Sequence, residues 1–268
     1  MSFLATDSKI FAPRFATGWV AFALAAGFVN AAAVMACKNF VTHVTGNITN
    51  IAVDSDFAGK FILVVTSFIV GAMIAVLVAE TMKARARVAF TLSISLVSLT
   101  LVAVGVLGRG GFFGPFGISD EVNTRAFVML GLLAASMGML NAAVANVTNN
   151  QIRVTHMTGP ATDLAGNLVR AALGGGRGPA VEFKWAMLRL AKFVGFVAGA
   201  ALATAVSGAL QFDIFSAAAA ILFVALGLTA APEGAPSAEA PGTKSTAPDA
   251  NPAPRHGPDL SRDSNAAE

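Results

Sequence analysis

Six long apolar stretches, separated by short polar or charged runs, dominate the pattern of this chain. A run of about 20 apolar residues is the length that an α-helix needs to cross the hydrocarbon core of a bilayer. A membrane barrel would need alternating apolar and polar residues, and the stretches do not alternate. The pattern therefore predicts an all-α membrane protein with six transmembrane helices, at residues 15–36, 61–80, 88–107, 126–147, 187–207 and 211–230.

The composition agrees with a membrane location. Hydrophobic residues make up 55% of the 268 residues and charged residues only 12%, whereas soluble domains average about 25% charged residues. This balance excludes a soluble enzyme, a disordered protein and a nucleic-acid-binding protein, and it makes the lipid bilayer the expected surroundings. Cys37 is the one cysteine of the chain, so an internal disulfide and a cysteine-cluster metal site are excluded as well.

Lysine and arginine predict the orientation. With a cytoplasmic N-terminus, 14 of these 18 residues lie on the cytoplasmic side, and only Lys38, Lys60, Arg109 and Arg125 lie on the other. Lysine and arginine concentrate in cytoplasmic loops, so we predict that both termini are cytoplasmic. Residues 1–14 form the N-terminal segment in this arrangement.

The composition changes abruptly after residue 230. Residues 231–268 contain seven of the eleven prolines and almost no large apolar residue. Such a segment buries too little apolar surface to offset its loss of conformational entropy on folding. We therefore predict a disordered cytoplasmic tail.

The chain contains two copies of one motif. Thr-His-x-Thr-Gly occurs at residues 42–46 and again at 155–159, and each copy follows a helix that carries Gly-x-x-Asn. This recurrence predicts a repeat architecture. Because each copy spans the membrane three times, an odd number, the second copy enters from the opposite side, and inverted repeats with a binding site at their interface are the usual plan of secondary transporters. The predicted units are a first three-helix repeat at 15–107, a connecting loop at 108–125 and a second three-helix repeat at 126–230.

Helix-start signals follow each motif, because threonine, glycine and asparagine, or a proline in the first turn, favour the beginning of a helix. We predict that each motif makes a bend at Gly46 or Gly159 and continues as a short half-helix. Exposed N–H groups at such a helix start favour an anion or a polar ligand.

These features select ten candidate residues for binding a solute. The two histidines could contact the solute or relay protons, or each could tether its bend to a backbone carbonyl; a metal site is not predicted, because no carboxylate or cysteine cluster accompanies them. The two asparagines could instead form a packing seam with an interhelical hydrogen bond, and the aspartate could couple ions or cap its half-helix. The ten candidates are Asn30, His43, Thr45, Gly46, Asn47, Asn141, His156, Thr158, Gly159 and Asp163.

Both motifs, with the preceding Gly27-x-x-Asn30 and Gly138-x-x-Asn141, resemble the YoaK-like family of bacterial multi-pass membrane proteins over residues 15–230. The resemblance implies a location in the bacterial inner membrane. It implies no substrate, because the family is a domain of unknown function. Two positions depart from the family pattern: Asn30 stands where aspartate is usual, and Pro160 stands where threonine is more usual, which would shorten or stiffen the second half-helix.

The functional expectation is transport rather than catalysis. The chain has no Gly-x-Ser-x setting paired with histidine and no His-Glu-x-x-His, which are signatures of hydrolytic enzymes. We expect a transporter or permease that needs no cofactor and binds a small polar or anionic solute between the two repeats. The alternative is a membrane partner or sensor protein that does not transport and acts through its tail. The oligomeric state stays open.

Overall fold

The computed structural model describes residues 7–117 and 124–230, and these ranges are helical without a β-strand. The predicted tail at 231–268 lies outside the described residues, as does part of the predicted connecting loop. The α-helices of the described ranges are α1 (Asp7–Ile10), α2 (Pro13–Cys37), α3 (Val44–Val53), α4 (Ala58–Thr81), α5 (Ala86–Arg109), α6 (Thr124–Val147), α7 (Thr158–Leu173), α8 (Pro179–Leu210) and α9 (Asp213–Ala230).

Six of these helices, α2, α4, α5, α6, α8 and α9, are long and apolar enough to cross a membrane. They coincide with the six predicted stretches, so the prediction of an all-helical protein with six apolar helices is confirmed. The largest difference is in α8, which begins at Pro179 rather than at residue 187. Proline is favoured in the first turn of a helix. The residues between Pro179 and the predicted start include charged ones, so the apolar pattern did not include this segment, but it is helical.

The two predicted half-helices exist, but they begin earlier and differ in length. Helix α3 has 10 residues and begins at Val44, whereas α7 has 16 residues and begins at Thr158. Helix α7 is the longer of the two although Pro160 lies in its first turn, where a proline removes only an N–H group that has no partner within the helix. Helix α7 ends at Leu173 and is capped by Gly174, whose φ of 72° is left-handed.

The most extensive contacts between membrane-spanning helices join one half of the chain to the other. The most extensive contacts join α2 to α8 and α4 to α6. Further contacts join α5 to α9, α2 to α9, and α5 to α6, while α3 packs on α4 and α7 packs on α8. Each of the contacts named here recurs between the corresponding helices with the two halves exchanged, or joins two corresponding helices, as α5 with α9 does.

Glycines permit the closest of these crossings. A Cβ atom built at any of four glycines would overlap a backbone carbonyl of the helix opposite. Small residues at helix crossings let backbones approach closely, which is the main source of packing energy between helices in lipid. The four pairs are Gly27 with Phe196, Gly138 with Phe68, Gly71 with Ala135, and Gly199 with Leu24.

Helices α2 and α6 form the centre of the bundle, and α4 and α8 form its sides. Within the most apolar 18-residue stretch of each helix, 67% of the α2 residues and 61% of the α6 residues are buried, against 22% in α4 and 17% in α8. The outer faces of α4 and α8 carry exposed large apolar side chains, including Met73, Leu77, Val194 and Val197. Soluble proteins rarely expose such continuous apolar surface, so these faces are expected to contact lipid.

The glycine contacts generate a test of the packing. We expect Gly138→Ala to lower the free energy of unfolding by about 1–3 kcal/mol, because the added methyl group meets a backbone carbonyl that cannot rotate away. The matched control is Gly208→Ala on α8, where nothing lies within 4 Å of the added atom. Thermal unfolding of both variants in detergent measures the difference, and equal stability of the two would contradict the close crossing.

Candidate functional site

A cavity of about 410 Å³ lies where the two motif-bearing loops meet. Pockets for small molecules usually have a volume of about 300–1,000 Å³, so its size suits a small solute. We call it the central cavity. It brings together six of the ten candidate residues from both copies of the motif: Asn30, His43, Thr45, Asn141, His156 and Thr158.

The two asparagines hold the loops that carry the motifs. The N–H groups of Val41 and Thr42 both donate to Asn30 Oδ1, each at 3.1 Å. The second copy repeats this arrangement, with the N–H groups of Val154 and Thr155 donating to Asn141 Oδ1 at 3.2 and 3.3 Å. An irregular loop at membrane depth has backbone groups that water cannot satisfy. Each asparagine therefore serves as the acceptor that its loop needs, and its partner is a loop rather than a second helix.

Asn47 and the two motif glycines do not line the central cavity. Asn47 is buried, and its Nδ2 donates to the carbonyl oxygens of Phe40 at 3.1 Å and His43 at 2.8 Å. This side chain ties the loop before the first motif to the first turn of α3.

The predicted bends at Gly46 and Gly159 are wrong, because both glycines already lie inside the first turn of a helix. Their role is to leave room for a histidine ring. A Cβ atom at Gly46 would lie 2.8 Å from the His43 ring, and one at Gly159 would lie 3.2 Å from His156 Nε2. The bends themselves fall in the loops before each motif histidine.

The histidines differ in their contacts. The N–H group of Gly159 donates to His156 Nε2 at 3.3 Å, so this ring accepts a hydrogen bond from the start of α7. The predicted partner was a carbonyl, and the observed partner is an N–H group. The His43 ring lies edge-to-face with the Phe40 ring, at a centroid distance of 6.0 Å. Both rings also line the central cavity.

Two residues of the second loop were missed by the sequence analysis. Arg153 and Thr155 line the central cavity. Thr155 is only 4% exposed, and its Oγ1 has no hydrogen-bond partner among the described residues. The backbone carbonyl of Arg153 accepts from Lys192 Nζ at 2.9 Å, which fixes the loop to α8. An alignment of the two motif copies would have drawn attention to Arg153, because Phe40 occupies its position in the first copy.

Asp163 lies apart from the central cavity, in a cluster of charges between α7 and α8. Its Oδ2 accepts a hydrogen bond from Arg189 Nη2 at 3.3 Å, and the Asp163 side chain is 57% exposed. Arg189 also contacts Asn167, which donates to the buried Glu182. Glu182 accepts in addition from Arg170 Nε at 3.2 Å. A buried carboxylate is tolerated when donors surround it in this way, so the cluster fastens α7 to α8.

The described residues contain no group of three or more histidine, cysteine, aspartate or glutamate side chains that could hold a metal ion. Six helices that are long and apolar enough to cross a membrane define an integral membrane protein. The chain belongs to the family described as "Protein of unknown function (DUF1275)", whose sequence profile matches residues 18–228. This match is consistent with the resemblance to the YoaK-like family. No curated protein and no solved structure matches the chain.

The asparagine anchors generate a second test. We expect Asn141→Leu to destabilise the protein by about 1–3 kcal/mol for each N–H group left buried without an acceptor. The matched control is Asn146→Leu on the same helix, because Asn146 Nδ2 is buried without a partner among the described residues. Thermal unfolding in detergent should show a clear loss for the first variant and little change for the second. The anchoring role would be wrong if both variants were equally stable.

Proposed function

We propose that this protein is a transporter or permease for a small polar or anionic solute that binds in the central cavity. The observation that supports this most directly is the lining of that cavity. Both copies of the motif contribute to it, and its described lining includes Arg153, His43 and His156 but no aspartate or glutamate. Polar and charged residues at membrane depth are costly and usually mark a solute or ion path.

We further propose that residues 15–107 and 126–230 form two inverted repeats. The exchange of helix contacts between the halves supports this, as do the paired glycine crossings and the paired asparagine anchors. Such repeats usually bind their solute at the interface between them, and one repeat rocks against the other. The proposed location is the bacterial inner membrane, with both termini cytoplasmic.

The donors around the cavity favour an anionic solute. Helices α3 and α7 both begin at its wall, with Val44 and Thr45 from one and Thr158 from the other. The N-terminus of a helix carries free N–H groups and a partial positive charge, which attract anions. The Arg153 guanidinium and the unpaired Thr155 hydroxyl add further donors to the same wall.

The proposed roles divide the remaining candidates. The histidines and threonines contact the solute, while the asparagines and glycines shape the loops around it. Asp163 is the proposed site of ion coupling, and because it lies outside the cavity lining, it would act through its contact with Arg189. No catalytic step is proposed.

The histidine pair tests the transport proposal. Purified protein is first screened for solutes that raise its melting temperature, and uptake of the best solute is then measured in liposomes. We expect His43→Ala/His156→Ala to lower both binding and uptake at least about tenfold, which corresponds to a loss of roughly 1.4 kcal/mol. The matched control is His256→Ala, since this histidine belongs to the tail. Uptake by the folded double variant at the wild-type rate would contradict the proposed site.

The second candidate function is that of a membrane partner or sensor protein that acts through residues 231–268, whose composition is unlike that of the helical region. Deletion of these residues separates the two functions. If the protein is a transporter, we expect the truncated chain to keep solute binding, uptake and its cellular phenotype. Loss of the phenotype by a truncated protein that still folds would instead favour the partner function, and a growth comparison alongside the uptake assay measures this.

A further inference from the structure

A second cavity, of about 370 Å³, lies beside the central one and contains none of the ten candidate residues. The end of α2, helix α3 and the first turns of α4 and α6 enclose it. Phe40 lines both cavities, so the Phe40 side chain forms part of the wall between them.

The polar part of the second cavity is rich in donors. Lys38 and Lys60 line it, and Asp54 is the one carboxylate among its described lining residues. Asn39 also lines it and is only 7% exposed. The N–H group of Phe40 donates to Asn39 Oδ1 at 2.9 Å, which fixes the orientation of the amide. Asn39 Nδ2 is therefore a buried donor without a partner among the described residues, and a buried donor of this kind calls for an acceptor.

The rest of the wall is apolar and largely aromatic. Phe57, Phe61, Phe113 and Phe127 line it from three different parts of the chain. Aromatic faces and edges pack favourably against a flat apolar group. From this lining we infer that the second cavity is a binding site for a small organic monoanion with an aromatic or apolar body, its carboxylate or equivalent group meeting Lys38, Lys60 and Asn39.

The backbone at Lys38 agrees with a role for its side chain. Lys38 follows the last residue of α2 and caps the helix with a left-handed φ of 52°. Glycine is normally favoured in this conformation. A long charged residue is therefore held at the edge of the cavity in a conformation that a side chain disfavours.

The corresponding positions of the second half carry different side chains. When the two motifs are aligned, Asn167 takes the place of Asp54, and when α4 and α8 are aligned through Gly71 and Gly199, Leu188 takes the place of Lys60. Asn167 is bonded to Glu182 and Arg189, so its polar groups are already occupied. The charged side chains that line the second cavity are therefore not repeated in the second half.

The second cavity would be part of the transport path if the solute passes Phe40 between the two cavities. This passage rests on the proposed function, whereas binding in the second cavity does not. The experiment therefore measures binding directly, by calorimetric titration of the full chain in detergent with benzoate, and with benzamide as its uncharged counterpart of the same shape.

We expect benzoate to bind at least about tenfold more tightly than benzamide, because only benzoate gains charge-assisted hydrogen bonds. Lys38→Gln and Lys60→Gln, made separately, should each weaken benzoate binding several-fold and leave benzamide binding unchanged. The matched control, Lys244→Gln in the segment 231–268, should bind both probes as the wild type does. Thermal unfolding verifies that each variant is folded.

Equal affinity for the two probes, or unchanged benzoate binding by both lysine variants, overturns the inference. The central-cavity variant His43→Ala/His156→Ala separates this site from the proposed transport site. Retained benzoate binding by that variant supports the second cavity, even if uptake is absent and the proposed function fails. Benzoate binding that this variant loses but both lysine variants keep would place the ligand in the central cavity and overturn the inference.

Discussion

The structure depends on satisfying the backbone N–H groups of the two loops that follow α2 and α6. Val41 and Val154 of these loops are buried, and a buried N–H group without a partner is costly, so each loop needs an acceptor from the protein. Asn30 and Asn141 provide that acceptor, each to two consecutive N–H groups. Because the loops are held in this way, two histidines and two helix starts can face one cavity.

Crossed packing ties that cavity to the whole bundle. Helix α2 packs most extensively on α8 and helix α6 on α4, so neither half of the chain is a separate body. The crossings pass through glycines that allow backbone contact, and such contacts tolerate little change in shape. Because residues of both halves line the central cavity, a change in its shape involves helices of both halves.

The helices were predictable and the contacts were not. Long apolar runs predict spans because their length matches a bilayer, and all six were found. The recurring motif selected residues that lie together, since six candidates line one cavity. A motif shows which residues recur without showing their partners, so Gly46 was read as a bend although it makes room for the His43 ring. Arg153 was missed because it lies outside the recurring motif, and the second cavity joins residues that are distant along the chain.

The two halves share the same pattern of helix contacts, but different side chains lie between the corresponding helices. Between α7 and α8 the buried Glu182 is surrounded by Asn167 and Arg170, which closes that seam with hydrogen bonds. Between α3 and α4 no such carboxylate is buried among the described residues, and the side chains that replace the cluster leave a cavity beside Asn39. Opening the closed seam would require separating a buried carboxylate from its donors, which is costly. The buried cluster thus fastens α7 to α8, whereas the first half has at the corresponding helices a cavity that adjoins Phe40.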